Sequence, residues 1–236
     1  MMRHGTDIWK LKAERKHKSR KLKIRKHKIS KLPENYAGFV WNALSSIAAA
    51  ASSVLLLMVV RRAAGIDAGA EFSIAVAVAN VLINIGTLNN TGLQVSDVTE
   101  QFHFPAYRTL RQAAVFAMMA AAVVNGIVRS YEASQGRAVL AYCFYRSVYA
   151  YADVYQGRYQ QKGRMDLAGN LQFFKILVPD VLLAVCVAVN KRIAEAAILA
   201  AFVQILLLHA YNRKYFGPFK DDGRLDRVEC RELFCQ

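Results

Sequence analysis

Residues 36–60 and 72–96 each run for 25 positions without a formal charge. About 20 apolar residues suffice to cross the hydrocarbon core as a helix, and a helix is the one open segment that satisfies its own backbone polar groups in lipid. Two shorter uncharged runs, 112–128 and 196–212, fit the same pattern. Between them lie two broken runs: 138–156, interrupted by Arg146 and Asp153, and 167–190, interrupted by Lys175 and Asp180. The expected fold is all-α and polytopic, with six transmembrane helices between residues 36 and 212.

Charge separates the chain into two materials. Residues 1–31 hold 13 Lys and Arg against Asp7 and Glu14, while the rest of the 236 residues hold 19 basic and 15 acidic side chains. A soluble nucleic-acid-binding domain spreads its basic residues over a folded surface, so no nucleic-acid partner is expected here. The leader reads as a disordered cytoplasmic tail whose cations meet anionic membrane lipids. A signal peptide does not fit, because the basic region is too long and the first apolar run exceeds an h-region. With the N-terminus inside, inner segments carry 24 Lys and Arg, outer loops 6, and the spans 2. Cytoplasmic loops hold these residues in excess, so both termini are expected in the cytoplasm. The organisation is then a tail over 1–31, a six-helix lobe over 36–212, and a cytoplasmic segment over 213–236 whose last residues look like the start of a cut-off seventh span.

Polar residues inside the runs point to surfaces that do not face lipid. Asn80, Asn84, Thr87, Thr91 and Gln94 recur every three or four positions, which places them on one face of a continuous second helix. Asn42, Ser45, Ser46, Ser52 and Ser53 give the first helix a small-residue surface suited to close packing. In the fourth helix, Arg146, Tyr149, Asp153 and Gln160 share a face. Intramembrane charges cost a few kcal/mol each and normally face a bundle interior or a hydrated cavity. Arg146 and Asp153 are two turns apart and cannot pair tightly, so Lys175 and Asp180 of the fifth helix are the expected partners. Pro179 removes a helical hydrogen bond and predicts a kink or break there. The second, fourth and fifth helices are read as lining a hydrated cavity, with a purely structural charge network as the alternative.

No catalytic, cofactor or metal chemistry is legible. His4, His17, His27, His103 and His209 are scattered, and Cys143, Cys186, Cys230 and Cys235 lack zinc or redox spacing. No nucleotide-binding glycine loop or activated nucleophile is present. The chain is expected not to be an enzyme.

Two longer blocks carry a family resemblance. The first comprises Gly65-Ile66-Asp67-Ala68-Gly69, Phe72-Ser73-Ile74-Ala75, Asn84-Ile85-Gly86, Gln94-Val95-Ser96-Asp97-Val98 and Phe104-Pro105-Ala106-Tyr107-Arg108. The second runs from Asp153 through Gln160-Gln161-Lys162-Gly163-Arg164-Met165-Asp166 to Gly169. Together they resemble the polysaccharide and lipopolysaccharide (O-antigen type) flippases of the multidrug/oligosaccharidyl-lipid/polysaccharide exporter superfamily. The resemblance implies a bacterial plasma-membrane protein that moves a polyprenyl-diphosphate-linked oligosaccharide between leaflets by alternating access. It also implies that the chain supplies one of two six-helix lobes, needing a second lobe or self-association, since one bundle has nothing to move against. Arg61, Arg62, Arg146 and Lys175 are the expected cations for the diphosphate, with Asn80 and Asn84 on the cavity stripe. Asp97, Asp153, Gln160 and Gln161 are expected to hold gate or loop geometry. The alternative is an inactive membrane scaffold for polysaccharide assembly. Reporter fusions after Arg137 and after Lys191 should both read as external; cytoplasmic signal at both would overturn the topology.

Overall fold

The computed structural model describes residues 32–88, 90–97 and 100–219. The basic tail, Cys230, Cys235 and the expected start of a seventh span lie outside the described residues. What is described is helical, with no strand among the described residues: α1 (Leu32–Ala64), α2 (Ile66–Thr87), short α3 (Asn90–Ser96), α4 (Phe104–Arg129), α5 (Ala133–Gln161), α6 (Met165–Asn190) and α7 (Ile193–Tyr215), then a single 3₁₀ turn, Gly217–Phe219. Six helices are long, and the protein is an all-α, multi-pass membrane protein. Successive long helices reverse direction, so one end of the bundle, the tail side, carries the start of α1, the α3–α4 loop, the α5–α6 turn and the end of α7. The far side carries the α1–α2, α4–α5 and α6–α7 turns.

Five of the long helices are apolar enough to cross a membrane by composition. The exception is α5, and its packing explains why. It touches α2, α4, α6 and α7, and 15 of its 29 residues are buried. A helix screened from lipid by its neighbours does not need a lipophilic surface. Around it the core is rich in small residues: Ala75 and Ala79 of α2, Ala122 of α4, and Ala197, Ala200 and Ala201 of α7 are buried to 4% exposure or less. Small side chains let membrane helices approach closely, where dispersion contacts replace the hydrophobic drive that lipid abolishes. Phe72 and Tyr142 pack edge-to-face at 5.2 Å between α2 and α5. α1 packs chiefly on α6. Gly169 permits their approach, since a Cβ there would stand 2.8 Å from Cβ of Trp41 and 2.9 Å from the Asn42 nitrogen.

Two sequence expectations are corrected. The second run is not one helix, because α2 ends at Leu88 in the left-handed conformation, φ 45°. The carbonyls freed at that end are claimed by Arg111 of α4, which donates to Gly86 O at 3.2 Å and Thr87 O at 2.5 Å. A cation at a helix C-terminus also complements the helix dipole. The five-residue stripe is thereby split: Asn80 and Asn84 are exposed on α2, whereas Gln94 turns inward on α3 and is 1% exposed.

The second correction concerns the break expected as one outcome at Pro179: α6 runs through it from Met165 to Asn190. A proline nitrogen cannot donate to the carbonyl four residues back, here that of Lys175. Gln204 of α7 supplies the missing donor, with Nε2 at 2.9 Å from Lys175 O in a buried position. Replacing Gln204 by Leu should cost about 1–2 kcal/mol, by leaving that carbonyl unsatisfied in a dry site. Adding Pro179→Ala to Gln204→Leu should recover most of the loss, because residue 179 then donates its own amide. Equilibrium unfolding in detergent micelles checks both; an unchanged midpoint for Gln204→Leu would remove the role given to this bond.

Candidate functional site

Polar residues concentrate along α5 and at its tail-side end. Arg146, Tyr149 and Asp153 in mid-helix, and Gln160 at the tail-side end, are all half-buried, on a helix otherwise largely covered. Lys175 of α6, only 2% exposed, places Nζ 2.5 Å from Asp153 Oδ1 and 3.0 Å from Gln156 Oε1. The same ammonium lies 4.1 Å from the Tyr149 ring centre. Lys175 is therefore neutralised and solvated by protein, as a charge at this depth must be.

Asp180 sits a turn and a half further along α6 and makes no ion pair among the described residues. Its two oxygens accept hydrogen bonds from Tyr145 OH of α5 at 2.6 Å and from Ser52 Oγ of α1. Arg146 acts on it only at a distance. The pairing expected from sequence is thus half met: Lys175 takes Asp153, while Asp180 is held by hydroxyls. Arg146 rests its guanidinium 4.8 Å from the Tyr149 ring centre, and its buried Nε has no hydrogen-bond partner. Nearby, Gln172 donates to Tyr149 OH at 3.2 Å but leaves its buried Oε1 without a donor. Two of the three buried side-chain atoms left open among the described residues are thus on residues that contact Tyr149; the third is Gln204 Oε1.

The tail side is tied differently. Asp97 closes the α3–α4 loop by accepting from the Gln101 and Phe102 amides at 2.9 and 3.2 Å and from Tyr107 OH at 3.1 Å. Gln161 donates to the Asp97 carbonyl at 2.6 Å, and Gln94 donates to Val154 O at 3.1 Å. Gly157 gives Gln94 its room, because a Cβ there would lie 2.5 Å from Oε1. Arg158, with a buried side chain, meets Gln161 Oε1 at 2.9 Å, Glu100 Oε2 at 3.4 Å and the Phe219 carbonyl at 3.2 Å. Lys162 closes the set on Glu100. The two blocks singled out in the sequence, some sixty residues apart, are therefore packed and hydrogen-bonded to one another.

The ten candidate residues do not converge on one pocket. Arg61 and Arg62 are exposed at the far end of α1. Arg146, Asp153 and Lys175 cluster in mid-bundle, Asn80 and Asn84 lie exposed on α2, and Asp97, Gln160 and Gln161 belong to the tail side. Sequence reading missed Arg111, Gln156, Arg158 and Gln204, all buried and all hydrogen-bonded. For Gln204 a signal existed: Pro179 frees a carbonyl, and Gln204 is an amide in mid-helix of the following run. No group of three or more metal-ligating side chains occurs among the described residues. No family model, no curated protein and no solved structure matches this chain.

Glu100 lies outside the membrane helices, and its carboxyl is held below the usual carboxylate range, first by the hydrogen bond from Lys162 and then by the charge of Arg158, against some desolvation. A depressed carboxylate stabilises the folded arrangement fully above its ordinary value and loses that contribution as pH falls through the lowered one. Acidification below the ordinary range should therefore loosen residues 100–103, seen as faster amide exchange there. Glu100→Gln should exchange faster already at neutral pH and lose the acid-dependent step; a Glu100→Gln profile identical to the parent would refute the tie.

Proposed function

We propose that this chain is a six-helix lobe of a polysaccharide-flippase-type transporter, handling a polyprenyl-diphosphate-linked oligosaccharide in the bacterial plasma membrane with both termini cytoplasmic. The observation that carries the reading is Arg146. It lies near the middle of α5, about 20 Å from either end at 1.5 Å per residue. Lys175 is spent on Asp153, and Arg111 on helix-end carbonyls. Arg146 alone of these three keeps a buried N–H open and a partly exposed side chain. An uncommitted guanidinium at membrane depth suits a diphosphate, whose oxygens accept its planar pair of donors.

In this reading the isoprenoid tail stays in lipid while the headgroup enters a hydrated face near Arg146, and the lobe rocks against a second bundle. That bundle is a separate lobe or another copy. Asn80 and Asn84 lie exposed on α2, apart from Arg146, and in this reading they face the second bundle rather than hydrocarbon, where an amide is costly. Asp97, Gln161 and Arg158 tie the α3–α4 loop to the end of α5, so that the tail-side end moves as a unit. No catalytic step is assigned, because the side chains offer binding and exclusion rather than a nucleophile and base.

Arg146→Gln should lower glycan export at least tenfold, the equivalent of about 1.4 kcal/mol and the lower end for a charge-assisted contact. Arg146→Lys should keep part of it. The measurement is surface glycan in a strain where export depends on the parental chain together with its second bundle and no other flippase is present, with membrane abundance of each variant determined in parallel. Full export by Arg146→Gln at parental abundance would overturn the assignment.

A further inference from the structure

The far side of the bundle carries two cavities of opposite character that meet. The first, of about 340 Å³, lies between the ends of α2, α5 and α7. Its polar lining comprises Glu71, Ser134, Arg137, Lys191, Arg192 and Glu195. The second, of about 480 Å³, is a groove over α5 between α4 and α7, walled by Met119, Leu140, Phe144, Ile198 and Phe202. Arg137, Ala194 and Glu195 line both, so the charged pocket opens directly onto the apolar groove. The groove exists because α4 and α7 both pack on α5 while buried Ala141 gives it a low floor.

Its dimensions and position suit one kind of molecule. The groove runs from Arg137 to Phe144 on α5 and from Ala194 to Phe202 on α7, about 10–12 Å at 1.5 Å per residue, and its deep end lies about 14–16 Å from the helix ends. That depth lies within hydrocarbon, whereas the pocket above it lies at the membrane surface. A ligand filling both is polar at one end and has an alkyl chain at the other. The pocket's charges then select the headgroup. Arg137, Lys191 and Arg192 supply three cations, and Glu71 and Glu195 two carboxylates. Arg137 is exposed and donates its Nε to the Ala133 carbonyl at 3.1 Å, a bond that does not use its terminal amino groups. Arg192 and Glu195 approach only to 3.7 Å and are both exposed, a loose pair that a ligand can part. Guanidinium groups favour phosphate, and the two carboxylates give an ammonium on the same headgroup partners that a headgroup without one leaves unused.

We propose that this is a binding site for a zwitterionic aminophospholipid of the far-side leaflet, with phosphate at Arg137 and Arg192, ammonium at Glu71 and Glu195, and one acyl chain along Leu140, Phe144, Ile198 and Phe202. The site is distinct from the Arg146 region and does not depend on the flippase reading. A bound lipid here bridges α4, α5 and α7, filling a gap that protein leaves open.

Native mass spectrometry of the full chain, released from detergent after exchange into phosphatidylethanolamine or phosphatidylglycerol, tests the proposal. One phosphatidylethanolamine should be retained per chain, about tenfold more than phosphatidylglycerol at equal supply. Arg137→Gln, at an exposed position that the fold does not need, should lower that retention about tenfold, and so should Ile198→Trp, which fills the groove. Arg129→Gln, an exposed cation at the same end but outside the pocket, should leave it unchanged. Equal retention of the two lipids, or retention unaffected by Arg137→Gln and Ile198→Trp, would mean ordinary boundary lipid and would overturn the site.

Discussion

Asp153 and Lys175 meet at 2.5 Å inside a bundle meant for hydrocarbon, and each supplies the opposite charge that the other needs there. Removing one member of such a pair strands the other and costs about 3–5 kcal/mol, more than most single contacts contribute. The pair requires shelter from lipid, and α5 finds it by sitting among α2, α4, α6 and α7. The rest of the arrangement follows from keeping that helix in the middle. Alanines on α2 and α7 bring the neighbours close, and lipophilic side chains such as Phe116, Val123, Phe202 and Leu206 turn outward.

Backbone accounting in lipid is equally strict, and the lobe meets it by borrowing side chains between helices. Leu88 interrupts the α2 run, and Arg111 comes from α4 to cover the exposed carbonyls. Pro179 interrupts the hydrogen-bond ladder of α6, and Gln204 comes from α7. Each repair links two helices far apart in sequence, so a local irregularity becomes a tertiary contact. An irregular backbone at membrane depth is tolerated where protein or water satisfies it. Both irregularities flank the charged centre of the bundle: Lys175, whose carbonyl Gln204 covers, is the residue whose ammonium binds Asp153.

Against this well-satisfied background the exceptions are informative. Three buried side-chain atoms among the described residues have no partner: Gln204 Oε1, Arg146 Nε and Gln172 Oε1, the last two on residues that contact the ring and the hydroxyl of Tyr149. Native proteins leave few such atoms open, and a polar region of this kind is where water or a ligand finds its bonds. The tail-side set around Arg158 and Glu100 contrasts with it, because there the buried guanidinium is fully engaged.

The amino-acid sequence by itself determined the class of the molecule, since charge-free runs of 25 residues have a single stable form in lipid. It also marked the face of α5 that bears Arg146, Tyr149, Asp153 and Gln160, because helical spacing is a local property. It did not reveal that the second run breaks at Leu88, that Pro179 leaves α6 intact, or which of Lys175 and Asp180 takes an ion pair. Those outcomes depend on Arg111, Gln204, Ser52 and Tyr145, contributed by other helices. Periodicity reports which way a side chain points from its own helix axis. Only packing decides which donor stands opposite, and in a membrane that donor decides whether a break, a proline or a charge can be kept.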